Sequence, residues 1–338
     1  MMIGRAAVAL CSALLLAGCG QSAAPAQRSA GAAGYPRSVP NCGRAVVIDA
    51  PPARAVSLNQ GSTEILLSLG LADRMVGTAT WTDPVRPDLA ADNGRVPQLA
   101  ADKPALETVL DTEPDLVTAS FAGTLGPGGV ADRDEFARLG VPTYLAPSDC
   151  VGKVTGSVDG SRTAPLTMDL VYDEIRDLAK IFDVPDRGAG LSAELQGRMA
   201  TARAVADVDI AFWFSDVRTP YMAGCCGAPG IIAATVGARN VFADTTDEWP
   251  QVSWEAVAAR DPDVLVLADL SRRTIEGDSL ATKIQFLESN PVTARLTAVR
   301  EKRYIVVNGA DLNPSIRTVD GAEKVANRLR ELGFVTGT

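Results

Sequence analysis

Along most of the chain, short runs of aliphatic and β-branched residues alternate with stretches whose apolar positions recur every three to four residues. Short apolar runs bounded by Gly, Pro, Asn or Asp read as buried strands, and the 3.6-residue period reads as helix. The pattern predicts strands over 55–58, 75–79, 115–120 and 142–145, with helices over 63–69, 106–110 and 132–139 between them. Gly70 stops the first helix. Residues 148–163 are polar and glycine-rich, as expected of a surface loop. The longest helical pattern follows over 166–182: Leu170, Val171, Ile175, Leu178 and Phe182 form its apolar stripe, and Pro185 stops it. A second helix is expected over 191–205. Alternation then resumes with strand 210–214, helices 230–236 and 254–259, strands 264–268 and 304–307, and helix 319–332. Strands alternating with helices imply parallel sheets covered on both faces. The expected fold class is therefore α/β, with two doubly wound lobes joined by a single long interdomain helix.

The two halves share a signature. LETVLDTEPDLV begins at Leu106 and WEAVAARDPDVLVL begins at Trp254. In each, a glutamate (Glu107, Glu255) precedes a proline (Pro114, Pro262) by seven residues, and a Pro-Asp pair launches an apolar strand. Equivalent placement in each half argues for two related lobes.

The N-terminus departs from this pattern. Arg5 is followed by an apolar run, AAVALCSALLLAG, too short to span a bilayer and laid out as a secretory signal. The run ends in Leu16-Ala17-Gly18-Cys19, which resembles the lipobox of bacterial lipoproteins, whose cysteine receives a diacylglycerol. Cys11 fails the same test, because bulky Leu10 stands where a small residue is needed. The bland alternative is an ordinary signal peptide that happens to contain Cys19. No later apolar stretch is long enough to cross a membrane, so lipid on Cys19 is the expected attachment, on the outer face of the cell membrane. From Gly20 the chain is rich in Ala, Gly, Ser, Pro and Gln, which reads as a flexible tether. The expected organisation is a signal peptide over 1–18, a lipidated tether over 19–44, an N-terminal lobe over 45–163, the interdomain helix over 164–184 and a C-terminal lobe over 185–338.

Composition removes several classes of function. Histidine is absent, which excludes His-based triads and HExxH zinc sites. A net charge of −9 argues against nucleic acid as a partner. There is no GxxxxGK[ST] motif, and GTLGPGGV at Gly123 lacks the GxGxxG spacing. Export makes the cysteines readable as disulfides, and Cys42 and Cys150, which flank one lobe, are expected to pair. The adjacent Cys225 and Cys226 leave three readings open: a vicinal disulfide, two free thiols, or half of a soft-metal site. No CxxC motif supports a metal cluster, and no metal site or cofactor is expected.

Candidate contact residues come from the ends of strands, where doubly wound sheets bind ligands. Trp81, Phe121, Trp213, Phe214 and Trp249 lie at such ends. Trp213 and Phe214 are neighbours on one strand, so only one of them faces the crevice. Arg218, Asp311 and Arg317 fall in predicted loops, where solvation is the default role. For Glu107 and Glu255 the residues alone favour stabilisation of a helix N-terminus over acid–base chemistry or symmetric docking.

Taken together, RAVSLNQGSTEILLSLGLADRMVGTA from Arg54, LETVLDTEPDLV, GAPGIIAATVGARNVFAD from Gly227 and EWPQVSWEAVAARDPDVLVL from Glu248 resemble the helix-linked class of ABC-importer solute-binding proteins, which carry iron–siderophore complexes or cobalamin. The resemblance covers residues 51–332. It implies a rigid two-lobed fold, no catalysis, and a monomeric carrier serving a permease dimer. It matches Glu107 and Glu255 to the glutamates that meet arginines on that permease, reversing the preference drawn from the residues alone. It places Trp81, Phe121, Phe214, Trp249 and Asp311 at the ligand cleft; Arg218 and Arg317 are added from their loops. The sequence departs from the family pattern at Cys225-Cys226 and at the Cys42/Cys150 pair. The expected ligand is a ferric siderophore, with cobalamin as the alternative; WPQVS is shared by carriers of both. A secreted thiol oxidoreductase using Cys225 and Cys226 is the alternative outside transport.

Overall fold

The structure is a computed structural model that describes residues 34–154, 160–271 and 275–335. The expected signal peptide, Cys19 and most of the expected tether lie outside the described residues.

An antiparallel hairpin opens the described chain, with β1 at Arg37–Asn41 and β2 at Arg44–Ile48. Val39, Val46 and Ile48 alternate along it and are buried in the first lobe's core. Asn41 donates from Nδ2 to the Leu145 carbonyl at 2.8 Å and accepts the Leu145 N–H at 2.9 Å. Residues 37–44, expected in the tether, therefore belong to the first lobe. Val39 begins an alternation that Val46 and Ile48 complete only after the turn, and Pro40, Asn41 and Gly43 around it read as linker.

Nine further elements complete the first lobe's sheet and its covering helices. They are β3 (Ala55–Ser57), α1 (Gln60–Ser68), β4 (Met75–Ala79), α2 (Ala90–Asn93), β5 (Gln98–Ala100), α3 (Leu106–Leu110), β6 (Leu116–Ala119), α4 (Arg133–Arg138) and β7 (Thr143–Leu145). The strands form a parallel sheet of order β5-β4-β3-β6-β7. Both faces are covered, so its central strands β3 and β6 are buried throughout, with Ser57 and Thr118 among their apolar residues. Beyond it, a small antiparallel pair, β8 (Lys153–Val154) and β9 (Ser161–Arg162), lies within the segment read as loop.

The link between the lobes is two helices, α5 (Asp169–Ile181) and α6 (Pro185–Ala202). The expected single helix ends at Asp183, whose φ of 59° lies in the left-handed region. Pro185 then opens α6 as its first residue, where its fixed φ fits and its missing N–H has no helical partner to lose. One proline thus ends one helix and begins the next. Val171, Ile175 and Leu178 of α5 pack into the first lobe's core, and Leu195 joins them from α6.

The second lobe contains β10 (Asp209–Trp213), α7 (Ala228–Val236), β11 (Arg239–Asn240), α8 (Trp254–Arg260), β12 (Val264–Asp269), α9 (Leu280–Ser289), α10 (Thr297–Arg300), β13 (Tyr304–Asn308) and α11 (Arg317–Glu331). Its parallel sheet runs β11-β10-β12-β13. That order repeats β4-β3-β6-β7 of the first lobe, with α3 before β6 answering α8 before β12. The match extends to single residues. Glu113 and Asp261, each directly before the shared proline, both adopt positive φ, 48° and 36°. Asp115 accepts the N–H groups of Ala53 and Arg54 at 2.7 and 2.9 Å, and Asp263 accepts that of Asp209 at 3.0 Å. Each Pro-Asp pair therefore ties its strand to the start of the neighbouring one.

Candidate ligand-binding cleft

In each sheet the chain leaves its first strand in one direction and later returns on the other side, which creates a crevice beyond the strand ends. The two crevices face each other and enclose a cleft of about 440 Å³. Phe121, two residues beyond β6, lines it from the first lobe. Phe214, directly after β10, lines it from the second lobe and stacks on Trp249, with ring centroids 5.0 Å apart and planes at 47°. Tyr221, Leu312 and Pro314 extend the apolar surface.

One rim carries charge. Lys153 of β8 faces the cleft and pairs with Asp149 and, at 2.9 Å, with Glu248 Oε2. Glu248 Oε1 accepts from Arg162 Nε at 2.6 Å. Arg162 also donates to the carbonyls of Ser148 at 2.5 Å and Val151 at 3.3 Å. Asp149 Oδ2 accepts the Ala122 N–H at 2.5 Å. Burial works against the Lys153 ammonium, but Asp149 and Glu248 outweigh it and hold its pKa above the ordinary lysine value. Backbone bonds from Glu248 to Gly160 and from Arg162 to Thr246, both 3.0 Å, join the lobes at this rim.

The floor is closed by two buried inter-lobe contacts. Arg317, at the start of α11, reaches Glu64 of α1 through Nε at 2.8 Å and Nη2 at 2.9 Å, and donates to the Pro84 carbonyl at 2.7 Å. Asp83 accepts the Ala310 N–H at 2.7 Å, and the N–H and hydroxyl of Ser271 at 3.2 Å each.

The expected contact residues thus divide. Phe121, Phe214 and Trp249 are brought together on opposite walls. Trp81 is half-buried at the end of β4, and the lining at that turn is Thr82 instead. Arg218 stands on an exposed loop outside the lining, where its N–H caps Asp216. Asp311 is fully buried below the floor: it accepts the Asn308 N–H at 2.9 Å and Lys324 Nζ at 2.5 Å. Burial pushes its carboxyl pKa up, with Lys324 opposing. Arg317 is spent on Glu64 beneath the cleft. Trp213 faces away and packs edge-on against Trp254 at 4.8 Å. The sequence reading missed Asp149, Lys153, Tyr221 and Glu248. Glu248 opens the quoted EWPQVS stretch and offered the only signal; Lys153 sits in a segment read as solvent-facing loop.

Cys42 and Cys150 form a disulfide, and Cys225 and Cys226 form a vicinal one. The vicinal pair lies in the turn that leads into α7 and supplies Gly227 and Ala228 to the cleft wall. Glu107 and Glu255 are each the second residue of a short helix, exposed, and without an ion-pair partner among the described residues. No helix among the described residues is long and apolar enough to cross a membrane.

Residues 56–309 match the family described as periplasmic binding protein. The chain is 25% identical over 234 residues to the vitamin B12-binding protein of Vibrio campbellii, covering 68% of this chain and 74% of that protein. A periplasmic binding protein from Veillonella parvula has the same fold, with a TM-score of 0.75 at 24% identity, covering 87% of this chain and 97% of the other. The ABC-type Fe3+-hydroxamate transport system structure from Saccharomonospora viridis gives a TM-score of 0.70 at 26% identity, covering 87% and 99%. Such relatives are exported solute-binding proteins that serve ABC permeases, not enzymes, so the thiol oxidoreductase alternative falls away. With a two-lobed α/β fold, a cleft at the paired switch points and a family match over most of its length, the chain belongs to the periplasmic binding protein family.

Proposed function

We propose that the protein is the cell-surface solute-binding lipoprotein of an ABC importer, anchored through Cys19, and that it captures a ferric siderophore in its inter-lobe cleft. The observation that carries this reading is the pair of facing aromatic walls, Phe121 against Phe214 and Trp249. Such walls suit a bulky chelate that presents organic faces and keeps its metal enclosed, so that the protein need not ligate it. Delivery to the permease runs through Glu107 and Glu255, whose equivalent positions on the two lobes suit a two-fold partner. Cobalamin is the second reading, favoured by the vitamin B12-binding relatives; it too is a metal chelate with large organic faces.

Intrinsic fluorescence tests the ligand. Trp213 and Trp254 are buried against one another, so ligand-dependent quenching reports on Trp249 in the lining and on the half-buried Trp81 beside it, and Trp249→Ala separates the two. Saturable quenching by a ferric siderophore at micromolar concentration or below, reduced at least about 10-fold in affinity by Trp249→Ala, is the expected result. Quenching by cobalamin alone would establish the second reading, and silence toward both would refute the proposal.

A further inference from the structure

The charged rim carries more information than the family likeness. Lys153 is the cation that faces the cleft among its described lining residues, and two carboxylates claim it. Each carboxylate is itself fixed in place: Glu248 by Arg162, whose side chain is 1% exposed, and Asp149 by the Ala122 N–H. The four charges, Asp149, Lys153, Arg162 and Glu248, sum to zero. An anionic ligand arriving here would have to pull Lys153 from both partners and leave two carboxylates facing it, a like-charge contact that disfavours the wrong ligand.

We propose that Asp149 and Glu248 make the cleft select an uncharged chelate over an anionic one, by withholding Lys153 from the ligand; Lys153 and Glu248 are specificity-determining residues. Three hydroxamates cancel the charge of a ferric ion, whereas three catecholates leave a net charge of −3. The selected class is thus the uncharged trihydroxamate type. This inference rests on the siderophore reading and refines it.

The experiment is isothermal titration calorimetry of the full-length protein with an uncharged ferric trihydroxamate and with a ferric tris-catecholate. The wild type is expected to prefer the trihydroxamate by at least about 10-fold. Glu248→Gln keeps the shape and a hydrogen-bond acceptor for Arg162 but removes one charge, leaving these four positions at +1. It should raise catecholate affinity relative to trihydroxamate affinity at least about 10-fold. Lys153→Met guards against misfolding of the first variant and should move the ratio the opposite way, weakening the catecholate further. An unchanged ratio in both variants, with the trihydroxamate still bound, would overturn the charge selection alone. So would a wild type that binds the tris-catecholate equally well. Failure of the wild type to bind either chelate would overturn the siderophore reading and this inference with it.

Discussion

Glu174 lies on α5 with 1% of its surface exposed, and its closest hydrogen-bonding group is the Ser62 hydroxyl at 3.5 Å. Burial pushes its carboxyl pKa up to about 8; the Ser62 bond opposes this and nearby Asp177 adds to it. A carboxyl with a folded pKa above its unfolded value binds its proton more tightly in the native state. Stability therefore falls as pH rises from about 4.5 to about 8, the interval between the two values. Urea unfolding at pH 5.5 and 8.5 should show this decline in the wild type. Glu174→Gln should flatten it and be more stable at pH 8.5 by about 1–3 kcal/mol. Arg317 presents the opposite case, a buried charge fully matched. Arg317→Met strands Glu64 and should cost about 3–5 kcal/mol, while adding Glu64→Gln should restore much of the loss. Neither burial was legible in the sequence. Glu64 and Glu174 occupy ordinary polar positions in helical patterns, and the partner that explains Glu64 lies 253 residues away. Phe121, Phe214 and Trp249 line the cleft, but Trp81 and Trp213 carried the same strand-end signal and do not, so that signal by itself did not separate lining from core.

Among the elements, β3, β4, β6, β7, β10, β12 and β13 read clearly because their mostly apolar runs are bounded by turn residues, whereas the short edge strands β5 and β11, Gln98–Ala100 and Arg239–Asn240, went unread. The β1–β2 hairpin went unread too: it is one-sided, short, and set in a stretch of linker-like composition. α9 was also passed over, since the fully buried Lys283 interrupts its apolar stripe. Lys283 Nζ donates to the carbonyls of Phe214 at 2.8 Å and Ala268 at 2.5 Å, which lie after and within strands of the sheet. The Cys42–Cys150 disulfide pins the hairpin's turn to the segment that follows β7, next to Asp149, across a sequence separation of 108. Closing a loop of that size is worth about 4–5 kcal/mol as an upper figure in the chain-entropy model. Cys42→Ser with Cys150→Ser should lower unfolding stability by about 2–5 kcal/mol in chemical denaturation. Because the hairpin also holds Leu145 through Asn41, the same variant should loosen the rim and weaken ligand binding.

At the scale of the whole molecule, the repeat between lobes was readable from two short motifs, and the structure extends it to strand order and positive-φ residues. Their relative placement was not readable, because the Asp83 and Arg317 contacts join segments far apart in the chain. Glu107 and Glu255 stand at matching points of the two lobes. In a reconstituted importer, Glu107→Ala or Glu255→Ala should each slow uptake about 10-fold, and the pair should abolish it, while calorimetric affinity for the ligand is unchanged. Loss of ligand affinity in the same variants would contradict a docking role. The inter-lobe contacts at floor and rim are made between the protein's own groups, which resists movement of one lobe against the other and keeps the outer surface constant. A permease would then meet the same face on a vacant carrier as on a laden one. Vacant carriers become competitors for the docking site, and import follows the fraction of carriers that are laden. Raising carrier numbers beyond the supply of cargo would slow uptake instead of hastening it.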